Sequence, residues 1–215
     1  MSTSRRPQVT LTYAQSIDGS IAARPGAPMK LSGEASQKFT HQLRAQHDAI
    51  LVGIGTVLAD DPQLNVRLVA GKNPRPIILD SQLRCPTTAR CIDASRRTLI
   101  AVSEHAPMAR QRALEAVGVL VVRVPLLNQH IDLRALLERL EAEGIRTLMV
   151  EGGGQVITSF LRARLVDRLI LTIAPTIIGG VRGVNEPVGA RLRNVSMQQL
   201  GDDFIMAGEI DWSEE

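Results

Sequence analysis

The sequence predicts an α/β domain with a mostly parallel central sheet, flanking helices and a C-terminal antiparallel hairpin. Three observations carry this. Short, continuously apolar runs such as "DAILVGI" suit strands covered on both faces. Amphipathic stretches such as "DLRALLERLEAEG" alternate with those runs along the chain. Two β-rich segments, "RLRNVSMQQL" and "DFIMAGEIDW", meet at Gly201-Asp202 and close the chain as a hairpin.

In chain order, residues 1–8 are expected to form a flexible tail, and "QVTLTYA" alternates as a first strand. "SGEASQKFTHQLRAQ" reads as a helix with Ser32 or Gly33 as its cap and Ala35, Phe39 and Leu43 on its buried face. "DAILVGI", "RPIILD" and "RRTLIAVS" are three buried strands. "APMARQRALEAVG" is a helix that Gly118 stops, and "VLVVRV" is the strand after it. In the next helix Leu133, Leu136, Leu137 and Leu140 fall at i, i+3, i+4 and i+7, with Asp132 as cap and Gly144 as stop. "RTLMV" is a strand leading into "EGGG", and "QVITSFLRAR" is a helix with Val156, Ile157, Phe160 and Leu161 on one face. "VDRLILTIAPTII" reads as one long strand.

The 215 residues suit one domain spanning the chain, and the 2% aromatic content requires a core of Val, Leu, Ile and Ala. No apolar run reaches the roughly 18 residues that span a bilayer. "MSTSRRPQV" has no hydrophobic segment behind its basic residues, so a cytoplasmic protein is expected, with no membrane partner. The net charge of +3 comes from dispersed arginines without an aromatic platform, which argues against nucleic acid and favours a phosphorylated small molecule. Cys85 and Cys91, six positions apart, read as free thiols, and the four histidines lack metal-ligand spacing.

Chemistry concentrates where strands end, since open α/β sheets bind ligands at the C-terminal strand ends. "VGIGTVLADDP" brings Gly53, Gly55 and Thr56 to a helix start, and "EGGG" does the same with Gly152, Gly153 and Gly154. Each loop alone is either a structural turn or a phosphate site; together they favour a ligand with more than one phosphate. Asp80 and Ser81 end a third strand, where Asp80 is expected to repel a 2′-phosphate. Asp60 and Asp61 are candidate acid–base carboxylates, against the simpler reading of "ADDP" as an acidic turn, which fits Asp61 better. His41 shares a helix face with Gln37 and Arg44, a face that is either plain exposed surface or part of a site.

Taken in order, "SIDGSIA", "LSGEASQKFTHQLRAQHDAILVGIGTVLADDPQLNVR", "RPIILDSQLRCP" and "LMVEGGGQVITSFLRARLVDRLILTIAPTIIGG" closely resemble the riboflavin-pathway reductases. The resemblance covers Val9 to Ile210 and implies a dihydrofolate-reductase-like fold, NADPH as hydride donor and a homodimer. It implies that Ala14, Thr56, Asp60, Ser81, Gly153, Gly154, Gln155, Val156 and Ile157 contact NADPH. Arg44, Leu64, Arg67 and Glu151 match positions that hold substrate, with Glu151 or Asp60 as the catalytic negative charge that stabilises an iminium. No metal is expected, because the zinc signature of the fused deaminase is missing. A lysine of the fused branch is Thr12 here, and a substrate-contacting serine aligns with Pro28. These departures point to the stand-alone branch, which reduces 2,5-diamino-6-ribosylamino-4(3H)-pyrimidinone 5′-phosphate. The alternatives are reduction of the deaminated 5-amino-6-(5-phosphoribosylamino)uracil and a non-catalytic nucleotide-binding protein of the same fold.

Overall fold

The computed structural model describes residues 6–27 and 29–213. Pro28, set against the substrate-contacting serine, lies outside the described residues. Of the tail expected over 1–8, residues 1–5 also lie outside them, whereas the Arg6 guanidinium grips Asp167 at 2.7 and 2.8 Å and Gln8 already opens a strand.

The elements follow as β1 (Gln8–Ser16), β2 (Ser20–Ala22), α1 (Glu34–Ala45), β3 (Ala49–Gly53), α2 (Ile54–Asp60), β4 (Arg75–Leu79), β5 (Leu99–Ser103), α3 (Met108–Glu115) and β6 (Leu120–Val124). The second half adds β7 (Leu126–Leu127), β8 (His130–Ile131), α4 (Leu133–Ala142), β9 (Thr147–Val150), α5 (Gly154–Arg162), β10 (Arg168–Ala174), β11 (Val181–Arg182), β12 (Arg191–Leu200) and β13 (Asp203–Asp211). Among the described residues nine strands form one sheet in the order β12-β13-β10-β1-β9-β3-β4-β5-β6. From β10 to β6 all neighbours run parallel, and β13 and β12 turn antiparallel at one edge.

The chain leaves β1 through α1 for β3, skipping the place that β9 later fills, and leaves β9 through α5 for β10 on the far side of β1. The order therefore reverses around β1, β9 and β3, and such a reversal opens a crevice beyond the C-terminal strand ends. The paired registers put alternate side chains on opposite faces. Leu11, Leu51, Leu148 and Val150 meet Leu136, Leu137 and Leu140 of α4 and Ile157 and Phe160 of α5. On the other face Ile50, Val52, Ile78 and Ile100 meet Val57 of α2 and Leu114 of α3, and Met149 and Ile170 meet Leu43 of α1. As composition requires, the core is aliphatic.

The α4 reading holds in detail: the Asp132 side chain accepts from the Arg134 and Ala135 amides, and Gly144 takes φ +84° beyond the helix. Two expectations need correction. The long strand ends at Ala174, because Pro175 offers no N–H to the ladder and Asp18 draws the next residues away. Both Asp18 carboxylate oxygens accept hydrogen bonds, from Ile178 N at 3.0 Å and Gly179 N at 2.8 Å, as well as from Ser16 and Ser20 hydroxyls. "SIDGSIA" is thus a staple between two distant loops. The buried face of α1 is also rotated: Leu43 is buried, but Phe39 is half-buried, Ala35 is exposed, and Ser36 and His41 are buried instead. The segment after α2 wraps over that side of the helix and covers His41.

Candidate functional site

The crevice is a cavity of about 1530 Å³ along the C-terminal edge of the sheet. Ordinary ligand pockets hold about 300–1,000 Å³, so this one has room for a large ligand or for two side by side. Asp60, Asp132 and Glu151 on its wall are outnumbered by Arg44, Arg67, Arg84, Arg134, Arg162 and Arg182, which favours an anionic occupant.

The glycines at the starts of α2 and α5 fall into three kinds, of which Gly154 is one by itself, bare because a Cβ there would lie 3.0 Å from the Arg182 carbonyl oxygen. A Cβ at Gly152 would lie 2.4 Å from Val156 Cβ, and one at Gly53 would lie 2.8 Å from Val156 Cγ2. Both are therefore bare so that Val156 can pack. At Gly153 a Cβ would meet only Thr56 Oγ1 at 3.7 Å, and at Gly55 it would meet open space. These two positions leave backbone open to the cavity. Gly153 caps α5, whose first internal bond runs from Ile157 N to Gly153 O at 3.1 Å. The Gly154, Gln155 and Val156 amides precede it and have no partner within the helix, so they carry the positive end of its dipole. An unobstructed backbone at a helix N-terminus of this kind fits a diphosphate.

Strand alternation fixes Glu151. Val150 points into the α5 face, and the next residue turns toward α1, where its two oxygens accept from Arg44 Nε at 2.7 Å and Nη2 at 2.6 Å. Arg44 Nη1 also donates to Asn65 O at 3.1 Å. Burial opposes the Arg44 charge, but the Glu151 carboxylate more than offsets it and the guanidinium pKa rises. The two residues are thus engaged with each other, and Arg44 has fewer donors left for a substrate than a free arginine.

Arg67 is different: it is exposed on the wall, and its Nη1 donates to Asn65 Oδ1 at 3.1 Å. Its backbone N–H donates to His41 Nδ1 at 3.1 Å. Burial, then the Arg44 and Arg67 charges, lower the His41 pKa to about 4 against a smaller opposing pull from Glu151. The exposed-surface reading of His41 is corrected by the same observation, since the ring is 3% exposed.

Other expected residues separate. Ala14, Thr56, Asp60, Ser81, Gly153, Gly154, Gln155 and Val156 line the cavity. Asp60 stands exposed on the wall, where the protein around it partly desolvates its carboxyl and raises the pKa. Its neighbour Asp61 is engaged in accepting from Arg90 N at 2.8 Å. Ile157 is fully buried and its N–H is paired within the helix, so it supports the turn from behind. Leu64 lies in the core at 2% exposure, with its carbonyl held by Arg96 Nη1 at 2.7 Å. Asp80 is wholly buried and accepts from Cys85 N at 2.7 Å, so it does not confront a ligand as expected. Ser81 and Arg84 face the cavity there instead. Cys85 and Cys91 are buried free thiols.

One wall was not anticipated. The β7–β8 hairpin and the start of α4 contribute Leu127 to Arg134. Its two-residue turn has Asn128 at φ +50° and Gln129 at φ +64°, and an asparagine directly after the Leu126–Leu127 pair is the signal that could have revealed it.

Comparison with known proteins is consistent with this architecture. A family model described as the RibD C-terminal domain matches residues 7–206. The 2,5-diamino-6-ribosylamino-4(3H)-pyrimidinone 5′-phosphate reductase of Methanothermobacter thermautotrophicus is 40% identical over 213 residues, 94% of this chain and 97% of its own. The solved riboflavin biosynthesis reductase Rib7 of Saccharomyces cerevisiae superposes with a TM-score of 0.80 at 32% identity, covering 98% of this chain and 93% of that one. A dihydrofolate reductase from Enterococcus faecalis shares the fold alone, at a TM-score of 0.53 and 14% identity over 94% of this chain and 96% of its own. Among the described residues no helix is long and apolar enough to cross a membrane.

Proposed function

The chain belongs to the RibD C-terminal domain family, and from that premise we propose that it is an NADPH-dependent reductase of riboflavin biosynthesis. It converts the ribosylamino group of 2,5-diamino-6-ribosylamino-4(3H)-pyrimidinone 5′-phosphate to ribitylamino. The observation that carries this reading is one cavity with two stations: the open amides at the start of α5, and Arg67 beside the Arg44–Glu151 pair.

The Gly153 to Val156 turn would hold the diphosphate of the dinucleotide, with Thr56 facing Gly153 across the gap. When bound, the nicotinamide supplies a hydride to C1′ of the substrate sugar. For that carbon to accept it, the C1′–O4′ bond of the glycosylamine opens, leaving a C1′=N double bond and a hydroxyl on the chain. The chain's own contribution is placement and charge. Arg67 grips the substrate phosphate, for which a guanidinium offers two parallel donors. Glu151, fixed by Arg44, presents its remaining lone pairs to substrate N–H groups. Asp60, the carboxylate raised in pKa, stands where it stabilises the cationic iminium or supplies a proton to its nitrogen. Water is displaced as both ligands fill the groove, which strengthens these interactions.

Incubating the protein with NADPH and the diaminopyrimidinone phosphate should consume the reduced nicotinamide absorbance. Turnover confined to the deaminated uracil analogue would reassign the substrate, and turnover with neither would leave a binding protein. For coenzyme choice, Asp80 turns inward, and Arg84, whose Nε lies 3.6 Å from Asp80 Oδ1, keeps its remaining guanidinium donors on the cavity wall. Arg84→Ala is expected to weaken NADPH roughly tenfold, the worth of one charge-assisted hydrogen bond, with NADH little changed. Equal weakening of both coenzymes in titrations would remove Arg84 from 2′-phosphate recognition.

The same reading makes the protein a cytoplasmic homodimer. Val195 and Met197 of β12 and Phe204 of β13 are exposed apolar side chains at the antiparallel edge of the sheet, and they suit a second copy of the chain. Met197→Glu should then shift sedimentation from dimer to monomer; an unchanged sedimentation coefficient would place the contact elsewhere.

A further inference from the structure

We propose that His41 is a positioning residue for the substrate-binding arginine, its Nδ1 fixing the backbone at Arg67 and so the station of that guanidinium. This deepens the reductase reading and rests on it, because it takes Arg67 as the phosphate-binding group.

The chain from Asp61 to Arg67 contains no helix or strand. Its backbone groups cannot satisfy one another in a ladder, so side chains from elsewhere must hold them. Arg96 takes the Gln63 and Leu64 carbonyls, and Asn73 takes Val66 N. Those anchors do not line the cavity. The two that do are His41 and Arg44, one turn apart on α1: Arg44 Nη1 holds Asn65 O, and His41 Nδ1 accepts from Arg67 N. Of these, the bond from His41 is made at Arg67 itself.

The chemistry of the ring makes this a one-state device. A neutral imidazole accepting at Nδ1 carries its proton on Nε2. Protonating Nδ1 would set one donor against another and break the bond. The charged groups facing the ring are Arg44 on its own helix, Arg67 on the wrapped segment and Glu151 beyond β9. Burial and the two cations outweigh the carboxylate and hold the pKa down to about 4. Nδ1 of His41 therefore stays an acceptor throughout the neutral range. The folded value lies below the ordinary 6.5, so the unfolded chain binds more protons between them. This contribution to stability is complete above about pH 6.5 and is lost as pH falls toward about 4.

The test compares His41→Asn, whose Oδ1 can replace Nδ1 as acceptor, with His41→Leu, which keeps bulk and removes it. In the protein, His41→Leu should raise KM for the phosphorylated substrate about tenfold or more. The NADPH dissociation constant, measured by nicotinamide fluorescence, should stay within about twofold, and His41→Asn should restore most of the loss. Nitrogen NMR of labelled histidine in the wild type should show Nδ1 bare, Nε2 protonated and no titration between pH 8 and 5. An unchanged KM in His41→Leu, a failure of His41→Asn to rescue, or titration near pH 6.5 would overturn the assignment. Absence of wild-type turnover would instead refute the reductase reading, while the NMR result would still report the bond to Arg67.

Discussion

Gly153→Val is expected to fold like the parent and to lose NADPH, with a dissociation constant higher on the order of 100-fold, two decades at about 1.4 kcal/mol each. The backbone at Gly153 is extended, with φ −72° and ψ 174°, so a β-branched residue adopts it without strain. Its Cβ would make one ordinary contact, 3.7 Å from Thr56 Oγ1. What the new methyls would occupy is the space in front of the α5 amides, where hydrogen bonds to a charged group are worth about 1.5–3 kcal/mol each. Gly152→Ala is the counterpart. Its Cβ would fall 2.4 Å from Val156 Cβ, so overpacking should destabilise the fold by about 1–3 kcal/mol. Thermal melts and coenzyme titrations of the two variants should therefore separate: one loses ligand and keeps stability, the other loses stability first. If Gly153→Val bound NADPH as tightly as the parent, the diphosphate would not lie at this turn.

The second large effect is at the ion pair. Glu151→Gln should lower kcat/KM on the order of 100-fold, the scale seen when a preorganised polar group is removed from a reacting centre. It should also lower stability by roughly 3 kcal/mol, near the lower end for breaking a buried pair, because Arg44 and Glu151 side chains retain 12% and 18% exposure. The double variant Arg44→Met, Glu151→Leu should regain much of that stability, since neither charge is then left uncompensated. It should not regain activity. Denaturant midpoints beside steady-state kinetics make the distinction. Parental turnover and substrate KM in Glu151→Gln would show that the pair serves the fold alone.

Much of this architecture is legible in one sequence because its signals are local. A parallel strand buried on both faces reads as an unbroken apolar run, as in "DAILVGI", and the leucines of α4 mark both its face and its ends. What escapes reading is set by partners distant in the chain. Pro175 hints that β10 ends, but the reason the chain turns is Asp18, some 160 residues earlier. Arg44 and Glu151 each read as a substrate ligand, and only the fold shows them bonded to each other across 107 positions. Leu64 and Asp80 sit in loops whose composition looks functional, yet one packs into the core and the other ties down its own turn. The three glycines of "EGGG" are indistinguishable as letters. Val156 decides that Gly152 is bare for packing, Gly153 opens to the cavity, and Gly154 is bare because the Arg182 carbonyl, far along the chain, lies against it.

The most direct test is a crystal structure of the protein soaked with NADPH. The diphosphate is expected against the Gly154, Gln155 and Val156 amides and the nicotinamide ring within the cavity, with Arg67 and Glu151 bordering the space beside it. A diphosphate bound elsewhere, with those amides left to solvent or covered by the protein's own side chains, would contradict that placement.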